Sequence, residues 1–65
     1  MLTVSAAARK LSEAAGKPIS PRAISELFYK RELRDDIAPI VAGRRAIPEN
    51  YLDEILAALR RHGKA

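Results

Sequence analysis

Ser20-Pro21-Arg22-Ala23-Ile24-Ser25-Glu26-Leu27-Phe28-Tyr29 is the stretch on which the fold turns. Serine followed by proline marks a helix start. The hydroxyl can accept from an orphaned backbone N–H of the first turn, and proline's missing donor costs nothing at the first helical position. Ile24, Leu27 and Phe28 recur at spacings of three and four and share one face, while Arg22, Ser25, Glu26 and Tyr29 share the other. The spacing predicts a helix over residues 21–32 with its apolar side buried and its polar side open.

Working upstream, Thr3 is a second capping residue, and Val4, Ala7, Ala8, Leu11 and Ala15 follow at helical spacing up to Gly16. A helix over residues 4–15 is predicted, ended by glycine in a left-handed turn. Only Lys17-Pro18-Ile19 separates the two helices. Both are too short to be stable alone, so they must pack on each other.

Downstream the period changes. Ile37-Ala38-Pro39-Ile40-Val41 is rich in branched residues, Ala42-Gly43 can reverse the chain, and Arg44-Arg45-Ala46-Ile47 can return antiparallel. A hairpin over residues 37–47 is predicted, with Gly43 supplying a positive φ and Pro39 confined to an edge or ladder end. Pro48-Glu49 opens a third helix over residues 49–62, with Leu52, Ile55, Leu56 and Leu59 as its stripe and Arg60, Arg61 and His62 in its last turn. The order helix, turn, helix, hairpin, helix predicts a mainly-α single domain over residues 1–65, a compact winged helix-turn-helix in which the hairpin is the wing.

Composition narrows the function classes. A hydrophobic fraction of 48% argues for a folded core. Absence of cysteine removes disulfides, thiolate zinc sites and cysteine nucleophiles, and fits the cytoplasm. The longest apolar run, Ile37–Ala42, is interrupted by Pro39, so neither a signal peptide nor a membrane span is expected. No enzyme constellation, cofactor or metal site is expected either. His62 reads as a helix-end residue, and the adjacent Asp35 and Asp36 read as turn residues without a third ligand. A net charge of +4 favours a polyanionic partner. Two tyrosines are too few for a base-stacking platform, which disfavours single strands.

Leu2-Thr3-Val4-Ser5-Ala6-Ala7-Ala8-Arg9-Lys10-Leu11 resembles the opening of excisionase-type and MerR-like DNA-binding domains. Ser20 to Phe28, followed by Glu32-Leu33, resembles the same family. Gly43-Arg44-Arg45-Ala46-Ile47-Pro48, with Leu52 four residues on, is similar to its wing and following helix. The resemblance covers nearly the whole chain. It implies sequence-specific binding of double-stranded DNA, either by a small transcription regulator or by a recombination directionality factor. Two features depart from the family: Arg31 stands where a glycine usually follows the recognition helix, and the long dimerising coiled coil of full-length MerR regulators has no counterpart here.

In such a motif the N-terminal residues of the second helix meet base edges. Arg22 is the leading candidate, since a guanidinium can bond guanine O6 and N7 together. Pro21 can touch a thymine methyl, and Ser25 and Tyr29 can reach bases or phosphates. Glu26 has two readings: an acceptor for cytosine N4, or an i,i+4 partner that holds Arg22. Arg44 and Arg45 at the wing are phosphate candidates, although strand alternation sends them to opposite faces and one is expected to turn towards the body. Lys30, Arg9 and Lys10 are further backbone candidates; Arg31 and Arg34 read as loop-solvating, and Arg60, Arg61 and Lys64 as a basic end. Contact with about five phosphates would give a log–log salt slope near −4 to −5. One copy covers little DNA, so self-association on DNA is expected. Tyr51, Ile55, Ala58 and His62 line one side of the third helix, either as a protein contact or as ordinary core and margin. The rival function is a protein-binding adaptor of phage or mobile-element type that uses the same fold against a recombinase or other protein.

Overall fold

The computed structural model describes residues 1–63. Helix α1 spans Val4–Ala15 and helix α2 spans Pro21–Tyr29. A two-stranded antiparallel hairpin follows, β1 Ile40–Val41 with β2 Arg44–Arg45, then a 3-10 turn Glu49–Tyr51 that leads into helix α3, Leu52–Arg61. The caps expected for the first two helices form. Thr3 Oγ1 accepts from the N–H of Ala6 at 3.1 Å, and Ser20 Oγ accepts from that of Ala23 at 3.2 Å. Gly16 ends α1 at φ 72°.

The turn between α1 and α2 is bolted to α1 by Ser12. Its hydroxyl donates to the Ala8 carbonyl at 2.7 Å and accepts from the Ile19 N–H at 2.8 Å, and the neighbouring Ile19 side chain is buried. One core serves all three helices. Ala7, Ala8 and Leu11 of α1 meet Ile24, Leu27 and Phe28 of α2, and Ile55, Ala58 and Leu59 of α3 close over them. Ile24, Ile55 and Leu59 are wholly buried, each contributing roughly 1.5–3 kcal/mol of transfer free energy.

Helix α2 is shorter than the predicted 21–32 and stops at Tyr29. Arg31 takes φ 62°, the N–H of Glu32 reaches back to the Leu27 carbonyl at 2.9 Å, and that of Arg31 to Phe28 at 3.1 Å. Together these bonds form the Schellman arrangement that ends a helix, with arginine in the position glycine usually occupies. The chain is thereby turned so that Leu33 is buried.

The hairpin is shorter than the predicted 37–47. Residues 35–37 form a turn and not a strand, and the Ala38 N–H reaches back across it to the Arg34 carbonyl at 3.4 Å. The Arg34 N–H donates to Tyr51 Oη at 2.8 Å, and Ala38 is fully buried. Pro39 closes the ladder as its last acceptor, taking the Ala46 N–H at 2.9 Å. Across the turn both Ala42 (φ 52°) and Gly43 (φ 78°) have positive φ, the type I′ geometry that suits the twist of a two-residue hairpin. Beyond β2, Leu2 and Ile47 pair antiparallel through both backbone bonds, at 2.7 and 2.8 Å, and anchor the base of the hairpin to the chain before α1.

The third helix differs from the predicted 49–62 at both ends. Its first turn is 3-10, since Pro48 offers no side-chain cap and the Tyr51 N–H bonds the Pro48 carbonyl at 3.0 Å. At the other end His62 is the cap residue. Tyr51, Ile55 and Ala58 are buried, so that side of α3 is core and only His62 is at its margin. No helix among the described residues is long and apolar enough to cross a membrane.

Candidate nucleic-acid interface

Burial of Ile24, Leu27 and Phe28 leaves the opposite side of α2 open to solvent. Pro21, Arg22, Ser25 and Tyr29 are exposed along it, and Tyr29 stands 88% exposed, an unusual position for an aromatic ring. Lys30 is exposed at the C-cap. Arg22 Nε lies 3.6 Å from Glu26 Oε1, an i,i+4 pair in which the arginine side chain is 89% exposed. Such an exposed pair contributes about 0.3–0.5 kcal/mol at most.

The two wing arginines part company. Arg44 is exposed beside the turn and makes no ion pair among the described residues. Arg45 turns inward, with a side chain only 17% exposed. Its Nη1 donates to Asp35 Oδ1 at 2.9 Å and to the Ala38 carbonyl at 2.8 Å, and its Cζ lies 4.0 Å from the centroid of the Phe28 ring. Of the two phosphate candidates at the hairpin, Arg45 is therefore engaged within the protein, and Arg44 carries the outward charge.

Between the start of α1 and the hairpin runs an open groove lined by Thr3, Val4, Ser5, Gly43, Arg44 and Arg45. Thr3 and Ser5 were legible in the sequence only as a helix cap and an outward residue. The pairing of Leu2 with Ile47, which swings the hairpin beside them, leaves no mark in local periodicity. Arg9 and Lys10 are exposed on α1, and Lys10 Nζ lies 3.8 Å from Glu49 Oε1.

The loop carboxylates have local partners. Arg34 donates to both Asp36 oxygens, at 3.1 and 2.8 Å, and these bonds hold the Asp36 carboxyl below the usual carboxylate range while raising Arg34 further. Asp35 serves Arg45, as above. The Glu32 carboxylate meets the His62 ring across the gap between α2 and α3. Among the described residues, no group of three or more histidine, cysteine or acidic side chains is gathered to hold a metal ion. Arg60 and Arg61 are exposed at the end of α3; Lys64, assigned with them to a basic end, lies outside the described residues.

No family model, curated protein or solved structure matches the chain.

Proposed function

We propose that the protein binds double-stranded DNA as a winged helix-turn-helix domain of the excisionase-type or MerR-like kind, acting by occupying a site and not by chemistry. Small transcription regulation and recombination directionality are the two roles the resemblance offers. The observation that carries the reading is the exposed face of α2: Arg22 beside Glu26, with Ser25 and Tyr29 along the same face, on a helix whose other face is core. A helix is about 10–12 Å across with its side chains, a fit for a major groove about 12 Å wide, and the nine residues of α2 give a rod of about 13 Å to lie in it. Glu26 is the aiming partner of Arg22 in this reading, and Arg44 is the wing's phosphate contact.

With Arg45 engaged internally, Arg9, Lys10, Lys30 and Arg44 remain as phosphate candidates. Four contacts at about −0.9 each give a slope near −3.6, shallower than the five-contact expectation from sequence. The longest Cα extent is 31 Å, about nine base pairs at 3.4 Å per step and less than one helical turn. High affinity for a unique site would then come from two or more copies side by side.

The test is fluorescence anisotropy with a labelled random-sequence duplex across a salt series, with Arg22→Ala and Arg44→Ala alongside. Expected are micromolar-range binding, within the roughly 10⁻⁴–10⁻⁶ M of non-specific contacts, and a slope that falls by about 1 in Arg44→Ala. Absence of binding at 10⁻⁴ M in low salt would remove the DNA reading and leave the protein-binding adaptor.

A further inference from the structure

We propose that Arg45 is a positioning residue of the DNA-binding surface, fixing the hairpin tip at a set angle to α2; this rests on the DNA reading above. A hairpin with two-residue strands does not hold itself. Its base is fastened by buried Ile47, paired with Leu2. Between that base and the tip, the Arg45 guanidinium makes an attachment of its own. It bonds Asp35 and the Ala38 carbonyl in the preceding loop and stacks on Phe28 of α2 itself.

The Phe28 contact is the consequential one. Phe28 projects from the buried side of the helix that carries Arg22 and Ser25 on its open side. The hairpin is thus referenced to that helix and not merely to a neighbouring loop. Because adjacent strand residues face opposite ways, holding Arg45 inward also sends Arg44 outward. Lysine cannot substitute. A point charge on a flexible stem lacks the planar fork that bonds oxygens at its edge while stacking by its face. A tip set in advance spares the ordering cost that a loose one would incur on binding.

The experiment is a double-mutant cycle on random-sequence duplex at 0.1 M salt, using Arg44→Ala, Arg45→Ala, their combination and Arg45→Lys. Hydrogen exchange at the Ala46 amide is followed in each DNA-free protein. Loss of one phosphate contact weakens binding about eightfold at this salt. If Arg45 acts through Arg44, each single variant loses about eightfold, the double loses no more, and Arg45→Lys behaves like Arg45→Ala. Exchange at Ala46, whose N–H bonds the Pro39 carbonyl, rises in both Arg45 variants and not in Arg44→Ala. A double variant weakened about sixtyfold, the product of independent losses, overturns the positioning role, as does an Arg45→Lys protein that binds like wild type. Unchanged Ala46 exchange in the Arg45 variants overturns it whatever the DNA result. Should Arg45→Ala unfold, Arg45→Lys with and without Arg44→Ala completes the same cycle. Wild-type protein that does not bind duplex at all removes the DNA reading, and the positioning role with it, a result distinct from binding with additive losses.

Discussion

Replacing Arg31 by glycine should make the protein more stable, although it deletes a side chain and adds none. Arg31 sits at φ 62° as the turning residue after α2, where a Cβ is crowded by the following carbonyl. The left-handed conformation costs an L-residue about 1–2 kcal/mol, and glycine returns about 0.5–1 kcal/mol of that through the larger entropy of its unfolded chain. The net gain is about 0.5–1 kcal/mol. For 65 residues the unfolding entropy at the midpoint is about 0.14 kcal/mol/K, so Tm should rise by about 4–7 °C. The assay is thermal unfolding followed by circular dichroism, with Arg31→Ala as the control. Alanine removes the guanidinium but keeps the Cβ, so its Tm should stay near wild type. A glycine variant no more stable than the alanine variant would refute the claim that backbone strain is stored at this position.

Three further outcomes follow from other contacts. Ala42→Asn places asparagine-glycine in a type I′ turn that now has alanine at positive φ, and should raise Tm by roughly half as much as the glycine change at Arg31. Tyr51→Phe removes the acceptor for the Arg34 N–H; a loss of about 1 kcal/mol in urea unfolding is expected, with faster hydrogen exchange at the Arg34 amide. Asp36 should titrate below the usual carboxylate range by carboxyl carbon NMR, and Arg34→Ala should bring it back up. Since the folded carboxyl binds its proton less tightly than the unfolded one, its small stabilising effect is complete above the unfolded titration and is lost as pH falls through the folded one.

Elements set by local chemistry are legible in the sequence. Thr3, Ser20-Pro21 and Gly16 mark their helix ends because capping is a contact within one turn of chain. The buried faces of α1 and α2 follow from spacing for the same reason, whereas α3 is turned so that Tyr51 and Ala58 join Ile55 and Leu59 in the core and Leu52 and Leu56, read as part of its stripe, are only half-buried. What escaped was decided by distant partners. Residues 37–39 carry a strand-like composition, yet the Ala38 N–H bonds back to the Arg34 carbonyl, and Arg34 is itself tied to Tyr51, seventeen positions away. The exit of α2 could be flagged at Arg31, though not its early position, because that depends on burying Leu33. At the candidate interface, the α2 face and the divided roles of the wing pair were foreseeable from helical and strand periods. Which arginine turns inward was not, as it depends on Phe28 and Asp35 arriving beneath Arg45.

The central claim is that duplex DNA is held by the open face of α2 together with the hairpin tip. Backbone amide shifts during titration with a short duplex test it most directly. The expected result is a footprint confined to the start and open side of α2, the residues flanking Gly43 and the beginning of α1, with Asp53, Glu54 and Ala57 on the far side of α3 unmoved. A footprint centred on α3, or no shift at saturating duplex, would contradict it.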